Sequence, residues 1–136
     1  MTADMNGQKV DTDPPTYQQV AHAWALHCFG SEIVSDTNER CARFLEEALE
    51  LVQALGLPKD HAVDLVEYVY GRPPGRPSQE VGGVSLTLAV LCGAVDLDML
   101  ECSIQELRRV QHPDMIDRIR RKNATKPRNS PLPGGG

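Results

Sequence analysis

Between two ends rich in polar residues, proline and glycine, apolar side chains recur at the 3.6-residue spacing of an α-helix, and no segment shows sustained strand-like alternation with β-branched residues. That pattern restricts the chain to an all-α fold of four to five helices. The expected domain spans residues 16–122. Residues 1–15, ending in Pro14-Pro15, and residues 123–136 have compositions that bury little and are expected to be disordered tails.

Helix-stopping residues divide the pattern. The first helix is expected from Tyr17 to Phe29, stopped by Gly30, with Trp24 as its packing anchor. The second starts at Asp36 or Thr37, either of which can cap it with Glu39 supporting the first turn, and runs to Leu55 before Gly56 and Pro58. A third covers Lys59 to Tyr70 and is followed by the turn-rich connector GRPPGRP. The fourth, from Ser78 to about Val95, is apolar nearly all round and is therefore expected to be buried. A fifth spans Leu97 to Val110, with Asp98 near its start and Arg108 and Arg109 at its end, as the helix dipole favours. Pro113 marks the break before a short basic helix over Asp114 to Lys122.

A net charge of −5 argues against a nucleic-acid-coating or acidic-membrane role, where a basic domain is expected. The polar N-terminus lacks the apolar core of a signal peptide, and the longest apolar run, Val81 to Val95, is short for a membrane span. A cytoplasmic location is therefore expected. Cysteines 28, 41, 92 and 102 form no C-x-x-C pair, so reduced, packed thiols are expected rather than a zinc site. No GK[ST] P-loop, G-x-S-x-G elbow or HExxH motif is present, and the four histidines are scattered.

The segment RFLEEALELVQAL carries the chemistry. At about 100° per residue, Glu46, Glu47 and Glu50 project from one arc of the second helix, while Leu45, Ala48, Leu49 and Val52 occupy the opposite arc. Like charges at this spacing repel, so a helix built for stability alone gains nothing from clustering them. Two readings stand. The stripe is either a solvated acidic face, partly neutralised by Arg43, or a set of hard oxygen ligands for Mg2+ or Mn2+. Glu80, at the head of the otherwise apolar fourth helix, likewise either favours a helix N-terminus or completes a metal site against the stripe.

Glu46-Glu47-x-x-Glu50 followed by Glu80 resembles the MazG-like all-α nucleotide pyrophosphohydrolases, whose signature is EExxE, a gap, then ExxD. The likeness covers about residues 37–122. RFLEEALELVQALG with QEVGGVSLTLAVLC is most similar to the phage dATP/dGTP pyrophosphohydrolase group, which includes the MazZ-type enzymes. The resemblance implies a helical bundle, completed as a homodimer or homotetramer, that hydrolyses (deoxy)nucleoside triphosphates, purine dNTPs (dGTP and/or dATP) above all, to monophosphate and pyrophosphate. In a phage it would adjust the nucleotide pool, inside the host cytoplasm. It further implies Glu47, Glu50 and Glu80 as ligands of Mg2+ or Mn2+, and Glu46 as ligand or water-activating base, with Glu46 and Glu47 catalytic.

One position departs from the signature. Three residues after Glu80, where the family has aspartate, stands Gly83. Asp64 or Glu67 can replace that acid, or fewer protein ligands and more waters can serve, or activity has been lost. In the last case the chain is a non-catalytic helical interaction protein with an acidic docking face. Candidate phosphate-binding residues are Arg40, Arg72, Arg76, Arg118, Arg121 and Lys122, and Trp24 or Tyr68 offers a ring for a base to stack on.

Overall fold

A computed structural model describes Met5 and residues 13–127, so most of both expected tails lies outside the described residues. Among the described residues the protein is all-helical, with seven helices and no strand: α1 (Tyr17–Phe29), α2 (Ser31–Ser35), α3 (Thr37–Ala54), α4 (Lys59–Tyr70), α5 (Pro77–Ala94), α6 (Met99–Val110) and α7 (Pro113–Asn123). The count exceeds the expected four to five because α2 is a separate single turn and the basic terminal segment is fully helical.

The ends follow the local chemistry. Thr16 and Gln19 form a reciprocal capping box on α1, with the Gln19 N–H donating to Thr16 Oγ1 at 3.2 Å and the Thr16 N–H to Gln19 Oε1 at 2.9 Å. Gly30, at φ 82°, turns the chain directly into α2. Asp36 caps α3 by accepting from the Glu39 N–H at 3.1 Å, and Asp98 caps α6 by accepting from the Glu101 N–H at 2.8 Å. Pro77 and Pro113 begin helices rather than lying before them. A proline in the first turn has no N–H to leave unpaired and brings a ready-made helical φ, so α5 and α7 start one residue earlier than expected.

Helix α1 packs on α2 and α7, α2 on α3, and α6 on both α5 and α7. Long-range side-chain hydrogen bonds tie the first helix to the last two. The Trp24 indole donates to the Val110 carbonyl at 2.9 Å, and the Tyr17 hydroxyl to the Ser103 carbonyl at 3.1 Å. Arg120 closes the C-terminal end of α1, its Nε donating to the Cys28 carbonyl at 2.6 Å and Nη2 to the His27 carbonyl at 2.8 Å. Cys28, Val110 and Ile116 form the small apolar centre of this layer, with Glu39 and Asn123 buried beside it. Asn123, at the junction with the expected C-terminal tail, is thus part of the body.

Two expectations about burial are corrected. Helix α5 is not buried among the described residues: Val81, Leu86 and Val90 remain 67%, 66% and 65% exposed, because no other described helix encloses an element that is apolar all round. Of the four free cysteines only Cys28 is buried; Cys92 is half-buried, and Cys41 and Cys102 face outward. Among the described residues no single helix is long and apolar enough to cross a membrane.

Candidate functional site

The site grows from the first three turns of α3. Glu39, 0% exposed, accepts on one oxygen from Arg40 Nη2 at 3.1 Å and sits 3.3 Å from Arg43 Nε one turn later. A buried carboxylate is tolerated only with such partners. Arg43 then reaches forward, Nη1 donating to Glu46 Oε2 at 2.6 Å, while its Nη2 donates to the Pro127 carbonyl. Lys126 Nζ holds the other Glu46 oxygen at 2.8 Å. Glu46 is therefore bracketed by two cations, one from its own helix and one from the segment after α7.

One residue on, Glu47 forms part of the wall of a cavity of about 430 Å3 bounded by α1, α3, α6, α7 and the segment that follows. Its aromatic side is Tyr17, Trp24 and Phe29, the last two meeting edge-on with ring centroids 5.8 Å apart. Arg40 crosses the Phe29 ring at 5.3 Å. The same lining includes Arg43, Arg109, Lys122 and Lys126, with Glu106 holding Arg109 through a 3.0 Å bond from Nε. Aromatic rings and cations thus border one space. Its volume is that of an ordinary small-molecule site.

Partial desolvation raises the Glu47 carboxyl above its ordinary value; the charge of Glu50 pushes the same way, Lys126 opposes, and Glu46 and Glu106 add smaller upward pushes. The sign for stability follows. A carboxyl raised in the folded state favours folding while protonated, and stability is lost as pH rises from the unfolded value through the folded one. Carbonyl-region NMR titration of the metal-free protein is expected to place the Glu47 midpoint above the ordinary glutamate value, and Glu50→Gln to lower it. A Glu47 midpoint at or below that value would contradict this account.

The remaining expected site residues divide into three groups. Arg40 and Lys122 belong to the Glu47 cavity. Arg118 and Arg121 line a second, basic cavity of about 580 Å3 between α6 and α7, which Lys122 and Arg109 also border. Arg72 and Arg76 stand apart in the α4–α5 connector, where Arg72 lies over the Tyr68 ring at 4.2 Å and Arg76 reaches Gln79 at 3.4 Å.

Glu80 is in the first turn of α5, its carboxylate folded back so closely that a Cβ at position 75 would collide with it. It is not among the charges that act on Glu47. Among the described residues no three acidic, histidine or cysteine side chains converge as a metal cluster. Sequence reasoning did not single out Tyr17, Glu106, Arg109 or Lys126 as site residues. Lys126 lay in the expected tail, and only the alternation of Lys and Arg with proline there gave any sign of it.

Comparison with family models, with curated proteins and with solved structures finds no match.

Proposed function

We propose that this chain hydrolyses nucleoside triphosphates, with purine deoxynucleotides (dGTP and/or dATP) as the preferred class, to a monophosphate and pyrophosphate with the help of Mg2+ or Mn2+. The observation that carries the reading is the cavity in which an aromatic bed, a group of cations and Glu47 of the EExxE run lie together. A nucleotide offers a partner to each, a flat base to the rings and a strongly anionic phosphate chain to the cations.

Burial and, after it, the charge of Glu50 raise Glu47, and a hard cation beside the two carboxylates would relieve their repulsion. Two carboxylates suit magnesium, which commonly takes one or two and completes its shell with water and substrate phosphates. Glu47 and Glu50 would therefore hold it. When bound, the ion neutralises phosphate charge and polarises the phosphoryl group.

The protein's own groups do the rest. Arg40, Lys122 and Lys126 bind phosphate oxygens, while Trp24, fixed by its bond to Val110, and Tyr17, fixed by its bond to Ser103, give the base a rigid surface. A carboxylate oxygen of Glu46, the water-activating base that the resemblance implies, takes a proton from the attacking water. The oxygen–phosphorus bond forms at the phosphorus nearest the nucleoside, the bond to the bridging oxygen breaks, and pyrophosphate carries away the electron pair. Arg43 and Lys126 keep Glu46 oriented beside this centre.

A panel of dNTPs and NTPs, each with Mg2+ or Mn2+, tests the reading when products are resolved as monophosphate plus pyrophosphate or diphosphate plus phosphate. The expected products are the first pair. Gly83, standing where the resembled family has aspartate, favours the rival, a non-catalytic interaction protein, which predicts neither pair at any metal concentration.

A further inference from the structure

The cavity of about 580 Å3 between α6 and α7 has a lining of one sign. Arg109, Arg118, Arg121 and Lys122 supply cations, Met115 and Ile119 the apolar remainder, and among the described residues no carboxylate borders it. Two of the guanidinium groups converge on a single atom: Arg109 Nη1 lies 4.0 Å and Arg118 Nη1 3.9 Å from the Met115 sulfur. Arg109 is held by Glu106, whereas Arg118, Arg121 and Lys122 are in no ion pair among the described residues. The acids of α7 are turned to other groups, Asp117 to Arg120 at 3.9 Å and Asp114 to His112 at 3.8 Å.

On α7 the spacing from Arg118 to Arg121 and Lys122 is that of helix neighbours, with Cβ atoms about 5–6 Å apart, where like charges repel. In a chain of net charge −5 that repulsion is left standing at one place. We propose that this cavity binds a short chain of linked phosphates, of the size of pyrophosphate or tripolyphosphate. Guanidinium forks from two helices and one ammonium set several charge-assisted donors around a space wider than a single phosphate. No aromatic ring lines it, in contrast to the Glu47 cavity, so it offers nothing to a base and favours the free inorganic ion over a nucleotide's tail. Nucleic acid fits less well, since Asp114 and Asp117 are exposed on the same helix and repel a strand running past it.

Arg109, Ile119 and Lys122 border both cavities, whereas Arg118 and Arg121 border only this one and Lys126 only the other. That division sets the test. Isothermal titration of the full chain with sodium tripolyphosphate, without divalent metal, involves no turnover and is independent of the proposed activity. Saturable binding is expected, with orthophosphate weaker by about tenfold or more. Arg118→Gln combined with Arg121→Gln is expected to weaken tripolyphosphate by about tenfold or more with helix content retained, and Lys126→Gln to change it by no more than about twofold. No binding, no loss in the double variant, or equal losses in both would overturn the assignment. Should the double variant lose helix, amide NMR of the wild-type chain decides: tripolyphosphate is expected to move the signals of Met115, Arg118, Ile119 and Arg121, and movement centred on Trp24 and Glu47 would overturn it. If a non-hydrolysable dGTP analogue moves the same α7 signals at lower concentration, the phosphate chain is a nucleotide's; if tripolyphosphate does so first, it is a free ion's. A single-stranded oligodeoxynucleotide bound more tightly than either would overturn the proposal in favour of nucleic acid.

Discussion

Glu50→Gln is expected to reduce pyrophosphate release by about two orders of magnitude, the scale on which disturbing a metal's surroundings acts, while shifting stability by no more than ~0.5 kcal/mol. The change removes one charge from an exposed position on α3 and no packing contact. It also removes the principal charge that raises Glu47, so the Glu47 midpoint and the metal affinity should fall together. Isothermal titration with Mn2+ alongside the product assay separates these effects. Unchanged activity in this variant would remove Glu50 from the site, and unchanged Mn2+ affinity would remove it from the ion.

The largest stability effect is expected at a residue with no part in the chemistry. Glu39→Ala leaves Arg40 and Arg43, half-buried around a vacated carboxylate, without the anion they share. Breaking a buried pair from one side costs about 3 kcal/mol or more. Urea unfolding at fixed protein concentration should show that loss, and the melting temperature should fall by on the order of 10 °C. Glu32→Ala, on the exposed face of α2, is the control and should lie within ~0.5 kcal/mol of wild type. Equal effects at positions 32 and 39 would mean that the Glu39 cluster does not hold α3 in place.

Most helices were legible because their signals were local. Asp36 caps α3, Gly30 stops α1, and α4 has the bounds that its apolar period and flanking Pro58 and Gly71 dictate, whereas α6 starts at Met99, two residues later than expected, because Asp98 caps it instead of lying in its first turn. Helix α2 was not legible, since five residues make little more than one turn and carry no period. Glu39 was read only as a first-turn acid favoured by the dipole; nothing local distinguishes such a residue from one enclosed by two arginines. The Arg43–Glu46 pair was visible as an i,i+3 spacing, whereas the Lys126 side of the same bracket joins positions 80 residues apart and leaves no periodic trace.

The acidic stripe was legible as a stripe, and its surroundings were not. Trp24 was weighed as a core anchor against a stacking surface, and the structure gives it features of both, half-buried with its indole N–H fixed while its side chain lines the cavity. The apolar character of α5 was read correctly and its consequence was not: a helix without a polar face demands cover, but the sequence does not say which chain provides it.

The bonds from Tyr17, Trp24 and Arg120 that close α1 onto α6 and α7 join residues 86 to 93 positions apart. A nascent chain emerging from the ribosome can therefore wind α1 early yet cannot anchor it until α6 and α7 have been synthesised. Closing so long a loop is slow compared with local helix formation. Helix α7 is in this sense the latch of α1, and truncation before Arg120 would leave the His27 and Cys28 carbonyls without the guanidinium that closes them.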